Sequence, residues 1–256
     1  MNRIEDYLEL KLNIVEWIKV YANKNKIKSL VVGVSGGIDS AVVATLCAET
    51  GIPTCVLSMP LKSSSVDDSL SDSYTTYLEN NYDNVTKIRI DLGAVYQTFI
   101  TTFDLWTKVG KYTNRDLANA NTKSRLRMVT LYQVAGSVGG IVVGTGNKVE
   151  DYGVGFYTKY GDGGVDIAPI ADLYKTEVWE LGKFLKVDSR IVEAKPTDGL
   201  WDDGRNDEDQ LGASYADLEY AMEHGTGPAV RVLHDFNTQN KHKMIPIPIF
   251  KLESKV

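Results

Sequence analysis

The segment Ser35-Gly36-Gly37-Ile38-Asp39-Ser40 combines the residue types that proteins use to bind phosphate. It follows an apolar run over 30–34 that predicts a buried strand, and it leads directly into a predicted helix. The backbone N–H groups of such a turn and the positive end of the helix both attract an anion. The segment therefore predicts a phosphate-binding loop, although a strand-to-helix turn without a ligand has the same local pattern.

This loop lacks the lysine that holds the β- and γ-phosphates in proteins that transfer the γ-phosphoryl group. A different nucleotide chemistry is therefore favoured. The form Ser-Gly-Gly-Ile-Asp-Ser resembles the pyrophosphate-binding loop of the N-type ATP pyrophosphatases, which cleave ATP between its α- and β-phosphates. On this resemblance we expect the following residues to bind ATP: Gly33, Ser35, Gly36, Gly37, Ile38, Asp39 and Ser40.

Four later segments also combine glycine with charged or hydroxyl side chains, and they span residues 121–128, 144–151, 156–166 and 169–177. In the second, Gly144 and Gly146 let the backbone approach a ligand, and Glu150 could supply an oxygen to Mg²⁺. In the fourth, Lys175 stands at the start of a predicted helix, an unfavourable place for a cation unless an anion is bound nearby. These segments predict a nucleotide site assembled from distant parts of the chain.

Arg125 and Arg127 have two interpretations that the spacing leaves open. They cannot share one helix face with Lys123, so a solvated stripe of charge is one reading and the one favoured by spacing alone. The alternative is that one guanidinium binds a phosphate or carboxylate with two parallel hydrogen bonds.

The composition excludes several classes of protein. The formal net charge of −6 argues against non-specific nucleic-acid binding, which needs an excess of Lys and Arg. No apolar run is long enough to span a bilayer, so we expect no membrane association and a cytoplasmic location. Cys47 and Cys55 both fall in apolar segments, which favours buried thiols over a disulfide or a metal pair.

The order of predicted elements indicates an α/β fold. Strands are predicted over 29–34, 52–59, 85–91 and 140–143, and helices before and between them and over 175–185, 207–223 and 228–237. In the helix predicted over 114–137, Leu117, Leu126, Val129 and Val134 are the expected core contacts. Alternation of this kind predicts a doubly wound, mostly parallel sheet with helices on both faces, with ligands at the carboxyl ends of the strands. One domain over residues 1–256 is expected.

The five segments together, in type and order, resemble the ammonia-dependent NAD synthetases over residues 30–248. The Gly-Asp-Gly-Gly run at 161–164 and the Asp-Leu-Tyr-Lys-Thr run at 172–176 are the most specific parts of this resemblance. It implies an adenine nucleotide alpha hydrolase-like, Rossmann-like fold and a reaction in which ATP adenylates the nicotinate carboxylate of deamido-NAD. Ammonia then displaces AMP to give NAD. The chain has no room for the amidase domain of glutamine-using relatives, so free ammonia is expected.

The resemblance also implies roles for individual residues, and a homodimer. Asp39 and Glu150 are expected to bind Mg²⁺. The expected catalytic residues are Asp39, Asp162, Asp166 and Lys175. ATP binding is expected to involve Arg127, Thr145, Lys175 and Thr197 in addition to the loop. Deamido-NAD binding is expected to involve Arg125, Lys159, Asp162, Asp166, His242 and Lys243.

Structural alternatives accompany the weaker of these roles. An ion pair at the edge of the core would explain Asp166, surface charge would explain Lys159 and Lys243, and a helix cap would explain Thr197. Two positions depart from the family's pattern: Val149 replaces a hydroxyl residue before the glutamate, and Asp198 replaces a small residue after Pro-Thr. The alternative functions are another ligase of the ATP pyrophosphatase type and a nucleotide-binding sensor without turnover.

Overall fold

Four parallel strands form the centre of the molecule. The computed structural model describes residues 3–61, 65–106, 114–197, 200–201 and 206–252, without the side chains of 65–68 and 104–106. The strands are β1 (Ser29–Gly33), β2 (Thr54–Ser58), β3 (Val85–Arg89) and β4 (Gly140–Val142). Their order is β3-β2-β1-β4, with Val31 of β1 aligned to Cys55 on one side and Val142 on the other. Each predicted strand is therefore present, with boundaries within two residues.

Ten α-helices and one π-helical turn are described around this sheet. They are α1 (Tyr7–Asn25), α2 (Ile38–Glu49), α3 (Ser65–Asn81), α4 (Gly93–Trp106), α5 (Arg115–Val138), the π-helical turn (Val149–Val154), α6 (Lys175–Phe184), α7 (Ser189–Val192), α8 (Asp207–Leu211), α9 (Tyr215–His224) and α10 (Val230–Met244).

Both faces of the sheet are covered by helices, because successive side chains of a strand point to opposite faces. Leu30 and Val32 of β1 join the core under α1, α2, α3 and α6, whereas Val31 joins the core under α4 and α5. All three side chains are fully buried. A strand buried on both faces reads as a continuous apolar run, as this one does. The prediction of a doubly wound parallel sheet is confirmed.

A third apolar cluster joins the C-terminal helices to the π-helical turn. Val149 and Val154 of the turn pack with Leu211, Tyr215 and Leu218 from α8 and α9. Because the cluster includes residues next to Glu150, the position of that carboxylate depends on the packing of α8 and α9.

Two of the predicted helices have different boundaries in the structure. The helix predicted over 207–223 is divided into α8 and α9, because Gly212 adopts a left-handed φ of 73° and Ser214 caps the new helix by accepting a hydrogen bond from Asp217 N. The helix predicted over 228–237 continues to Met244. The segment containing His242 and Lys243 is therefore the last turn of a helix.

Helix α5 contacts the core through only part of its predicted apolar set. Leu126 and Val134 pack on the sheet, as predicted. Leu117 and Val129 are 51% and 58% exposed, so their assignment to the core is wrong. They lie on the outward side of a helix that packs on the sheet through its other side. In the part of the chain that is described, no helix is both long enough and apolar enough to cross a membrane.

Candidate active site

The candidate site is a cleft at the carboxyl ends of the strands. Chain order runs from β1 through β2 to β3 on one side, whereas β4 lies on the other side of β1. The point between β1 and β4 is thus a topological switch point, where loops leave in opposite directions and open a crevice. A cavity of about 270 Å³ lies here, lined by the loop after β1, the loop after β4 and residues of α5 and α6.

The predicted phosphate loop forms one wall of this cavity. Gly36 has a φ of 94°, a conformation that glycine adopts without strain. The Ser35 and Ser40 hydroxyl oxygens lie 3.1 Å apart, and Ser40 Oγ also accepts a hydrogen bond from Ser35 N at 3.1 Å. Helix α2 begins after Gly37, which has no side chain to cap the first-turn N–H groups. The loop is therefore held in shape by its own serines and presents an uncapped helix N-terminus to a ligand.

Lys175 lies between the two carboxylates that the sequence singles out. Its Nζ donates to Asp39 Oδ2 in a short contact and to Glu150 Oε1 at 3.0 Å. The lysine side chain is 3% exposed and the carboxylates are 16% and 17% exposed. Lys175 is the first residue of α6, so the anions expected from its position at a helix start are these two carboxylates.

Lys175, Asp39 and Glu150, here called the Lys175 centre, shift one another's pKa values. Burial raises the pKa of Asp39, in opposition to Lys175, which lowers it. Burial also acts to raise the pKa of Glu150, but Lys175 and the Tyr215 hydroxyl outweigh it and the pKa is lowered. For Lys175, burial acts to lower the pKa, and Asp39 and Glu150 together raise it above the usual value. The lysine is therefore charged at neutral pH, and two acids share one cation.

Asn147 connects the phosphate loop to the π-helical turn. Its Nδ2 donates to Asp39 Oδ1 at 3.1 Å, and its Oδ1 accepts from the backbone N–H groups of Val149 and Glu150, both at 3.1 Å. The residue is fully buried. Because both functional atoms of the amide are used, Asn147 fixes the relative positions of Asp39 and Glu150.

Asp151 is a third carboxylate at the cavity wall, next to Glu150 in sequence. Burial, followed by the negative charges of Glu150 and Asp162, raises its pKa to about 8. Its carboxylate lies against Gly146: a side chain on that glycine would begin 2.2 Å from Asp151 Oδ2. Gly146 is therefore required for the carboxylate to occupy this place.

Asp162 lies at the cavity wall, in the Gly-Asp-Gly-Gly turn. Its Oδ1 accepts hydrogen bonds from Ser124 Oγ at 2.7 Å and from Thr158 N at 2.9 Å. Ser124 Oγ also accepts from Asp162 N at 2.9 Å. A side chain on Gly161 would begin 2.2 Å from Ser124 Oγ, which explains the glycine at that position. These contacts hold the Gly-Asp-Gly-Gly turn against α5.

Most of the residues predicted from the sequence line one cavity. Those that line it are Gly33, Ser35, Gly36, Gly37, Ile38, Asp39, Ser40, Arg127, Thr145, Glu150, Asp162, Lys175 and Thr197. Arg127 also donates from Nε to the carbonyl oxygen of Met59 at 3.3 Å. Of the two arginines that spacing left open, Arg127 is the one at the cavity, and Arg125 is exposed. Asp198 lies outside the described residues.

Five predicted residues are not among those that line this cavity. Arg125 Nε donates to the carbonyl of Lys159 at 3.3 Å, and Lys159 Nζ donates to the carbonyl of His242 at 3.1 Å. Lys243 Nζ donates to the carbonyls of Gly155 and Tyr157. These residues form a group that joins the end of α10 to the segment before the Gly-Asp-Gly-Gly turn.

Asp166 is the fifth residue outside the cavity lining. Its Oδ2 accepts from Val142 N at 2.7 Å and its Oδ1 accepts from Tyr132 OH at 3.1 Å. Both carboxylate oxygens are therefore bonded within the protein, at the end of β4.

Sequence reasoning assigned no role to Asn147, Asp151, Tyr215 or Asp207, all of which are part of the site or adjoin it. Tyr215 OH lies 2.7 Å from Glu150 Oε1 and 3.4 Å from Asp207 Oδ2. Asn147 and Asp151 lie in a segment that the sequence does single out. Nothing in the spacing of Tyr215 distinguishes it from an ordinary core aromatic.

The donor set is compatible with Mg²⁺ bound together with a phosphorylated substrate. Mg²⁺ commonly takes one or two carboxylates and completes its shell with water and phosphate oxygens. Asp39 and Glu150 supply two carboxylates that both contact Lys175 Nζ and both line the cavity. No cluster of three or more His, Cys, Asp or Glu side chains arranged as a metal site occurs among the residues described. Asp39 and Glu150 therefore fit a site that phosphate oxygens of a substrate would complete.

Comparison with known proteins finds relatives that are similar to nearly the whole chain. The chain is 36% identical over 244 residues to the NH(3)-dependent NAD(+) synthetase of Carboxydothermus hydrogenoformans, covering 92% of this chain and 95% of that protein. Among solved structures, an NMN synthetase from Francisella tularensis is similar with a TM-score of 0.83 and 30% identity, covering 99% of this chain and 100% of that one. An NH3-dependent NAD synthetase from Campylobacter jejuni has a TM-score of 0.75 at 24% identity, which is a likeness of fold. The expected adenine nucleotide alpha hydrolase fold is confirmed.

The family match covers almost all of the elements that build the cleft. The model of the NAD synthase family matches residues 10–244, a range that includes the phosphate loop, the Lys175 centre and the end of α10. Together with identities of 34–38% to relatives over more than nine tenths of the chain, this match shows that the chain belongs to the NAD synthase family.

Proposed function

We propose that this chain catalyses the ATP-dependent amidation of deamido-NAD by ammonia, through an adenylated nicotinate carboxylate, to give NAD, AMP and pyrophosphate. The observation that carries the proposal is the Lys175 centre at the end of the phosphate loop. A lysine fixed at the end of a phosphate-binding loop can stabilise the charge that develops when a phosphate bond breaks, and simple retention of a nucleotide does not require it. The chain's family membership supports the same reaction.

The reaction has two steps that the cleft suits. In the first, a carboxylate oxygen of the nicotinate attacks the α-phosphorus of ATP, and pyrophosphate leaves. In the second, ammonia attacks the acyl carbon, AMP leaves with the bonding electrons, and the nitrogen loses a proton. The N-terminus of α2 and the Lys175 ammonium would stabilise the negative charge of the departing pyrophosphate. Arg127 and Thr197, also at the cavity, would bind the nucleotide.

Mg²⁺ is part of the proposal. Asp39 and Glu150 would hold it, and when bound it would neutralise phosphate charge and polarise the phosphate oxygens. Asp162, held by Ser124 and Thr158, would orient the acceptor. The roles expected for Arg125, Lys159, Asp166, His242 and Lys243 in deamido-NAD binding remain predictions, and these residues would act from outside the cavity.

A second candidate acceptor is the mononucleotide half of deamido-NAD. The observation that favours it is the similarity to the Francisella protein, which is described as an NMN synthetase. The chemistry at the carboxylate would be the same, and only the size of the acceptor would differ.

The proposal is tested by measuring pyrophosphate release and the amide product by mass spectrometry. The purified chain is incubated with ATP, Mg²⁺ and ammonium chloride. Separate samples contain deamido-NAD, nicotinate mononucleotide or no acceptor. We expect pyrophosphate release beyond a single turnover only with an acceptor and ammonium, and the preference between the two acceptors decides the substrate. Glutamine in place of ammonium tests the nitrogen donor. Release with xanthylate instead, or ATP binding without turnover, would favour the alternative ligase or the sensor.

We also propose a homodimer of a single synthetase domain over 1–256. Helices α4 and α5 contact each other and expose Phe99, Phe103, Leu117 and Val129, each 45% exposed or more. Exposed apolar side chains on adjoining helices are typical of surfaces that are buried in an assembly. Light scattering should give twice the chain mass, and Val129→Asp should shift the population to monomer. A wild-type monomer at micromolar concentration would refute the proposal.

A further inference from the structure

Tyr215 makes a buried hydrogen bond to the proposed metal ligand Glu150. Its hydroxyl lies 2.7 Å from Glu150 Oε1, and the residue is 1% exposed. The hydroxyl also lies 3.4 Å from Asp207 Oδ2. Because a hydroxyl carries one proton, the shorter contact to Glu150 is the hydrogen bond that it donates.

The two donors to Glu150 act on the same oxygen. Lys175 Nζ and Tyr215 OH both bond to Oε1, at 3.0 and 2.7 Å. Two donors from different directions restrict rotation of the carboxylate about its last bond. The Glu150 side chain also lines the cavity. The two hydrogen bonds thus hold the carboxylate in one place at the cavity wall.

Tyr215 is itself held in place from three sides. Its backbone N–H donates to Glu208 Oε1 at 2.9 Å, at the start of α9. Its ring meets the Trp179 ring edge-on at a centroid distance of 5.9 Å, and Lys175 Nζ lies 5.1 Å from the ring centroid. A side chain so constrained keeps its hydroxyl at one point, which is what orienting a metal ligand requires.

We propose that Tyr215 is a positioning residue that fixes the Glu150 carboxylate as a ligand for the divalent cation that would bind with ATP. This inference rests on the proposed function, and in particular on Glu150 as a ligand of Mg²⁺. Tyr215 is not among the described residues that line the cavity. Tyr215 orients the carboxylate. Its loss should therefore weaken binding of the cation, and turnover should fall because less cation is bound.

The test compares Tyr215→Phe with Tyr220→Phe. Both lie on α9 and lose only a hydroxyl, but Tyr220 is 49% exposed and stacks on His224. Binding of Mn²⁺ is measured by electron paramagnetic resonance in the presence of an ATP analogue with a methylene bridge between the α- and β-phosphates. Loss of a group that orients a metal ligand typically weakens metal binding by 10–100-fold, so we expect the Kd for Mn²⁺ to rise about tenfold in Tyr215→Phe. In Tyr220→Phe it should change less than about twofold.

A coupling measurement separates positioning from general loss of structure. If Tyr215 acts through Glu150, adding Tyr215→Phe to Glu150→Gln should weaken Mn²⁺ binding no further. The inference would be overturned if the two substitutions raised the Kd for Mn²⁺ independently, so that their effects multiplied in the double variant. It would also be overturned if the Kd of Tyr215→Phe lay within about twofold of wild type. If the wild type with the analogue binds no Mn²⁺, both this inference and the proposed metal site fail. If the wild type binds and Tyr215→Phe binds equally well, only the role of Tyr215 fails.

Discussion

Replacing Lys175 with methionine removes the ammonium that Asp39 and Glu150 share, while nearly keeping the volume of the side chain. The lysine is 3% exposed and the carboxylates are less than a fifth exposed, so water does little to compensate. Removing one partner of a buried ion pair typically costs about 3–5 kcal/mol, because a buried charge is left without its counterion. For a chain of this size each kcal/mol lowers the melting temperature by about 2–4 °C. Lys175→Met should therefore melt about 10 °C below wild type at neutral pH.

The loss should depend on pH. In the wild type, Lys175 keeps the pKa of Glu150 below its usual value, so that contribution to stability is present at neutral pH and is lost as the pH falls. In the variant both carboxylates lack the cation and their pKa values rise, so the penalty develops as the pH rises above about 4. The difference in melting temperature should thus be largest near pH 7.5 and should shrink toward pH 4.

Lys183→Met on the same helix is the matched control. Lys183 pairs with Glu180 at 2.6 Å, but both side chains are more than half exposed. Exposed pairs contribute about 0–1 kcal/mol, so this variant should melt within about 3 °C of wild type. Calorimetry at several pH values measures all three proteins. A Lys175→Met difference as small as that of the control, or one that is constant from pH 4 to 8, would refute the argument that a shared buried cation stabilises the centre.

Three further predictions concern the surroundings of the centre. Because the pKa of Asp151 is raised to about 8, the folded chain binds more protons than the unfolded chain between about pH 4 and 8, and stability falls with pH across that window. Asp151→Asn should therefore melt higher than wild type at pH 8 and no higher at pH 4, and equal melting at both values would contradict this. Gly146→Ala places a methyl group 2.2 Å from Asp151 Oδ2 and should cost about 1–3 kcal/mol in urea unfolding. The cost should be smaller when Asp151 is also alanine, and an equal cost in both backgrounds would exclude that clash as its cause. Lys243→Met removes the hydrogen bonds to the carbonyls of Gly155 and Tyr157, so amide exchange in the last turn of α10 should be faster, as measured by mass spectrometry. Unchanged exchange would show that packing alone holds that turn.

The strands and the phosphate loop can be predicted from their own residues alone. A buried parallel strand is a continuous apolar run because both of its faces are covered, and 30–34 carries that pattern directly before the turn that begins at Ser35. The left-handed φ at Gly36 and the start of α2 follow from residues within a few positions of each other. For the same reason the order of strands and helices was sufficient to predict the doubly wound sheet.

The incorrect predictions concern local sequence patterns that are compatible with two different structures. A run of helix-forming residues over 207–223 does not reveal that Gly212 and Ser214 end one helix and begin another. The apolar residues of α5 do not reveal which side meets the sheet, so Leu117 and Val129 were assigned to the core although they are exposed. In both cases the outcome depends on packing against elements that are distant in sequence.

By itself the sequence determined the class of fold, the phosphate loop and, through the resemblance of its motifs, the two carboxylates and the lysine of the site. It could not determine how these groups meet. Lys175 reaches Asp39 across 136 positions, and Tyr215 reaches Glu150 across 65. These contacts exist because β4 pairs beside β1 and because α9 packs on the π-helical turn. Only tertiary structure brings two acids around one buried cation and places a tyrosine hydroxyl on one of them, because hydrogen bonds and charge interactions act over a few ångströms of space, whatever the separation along the chain.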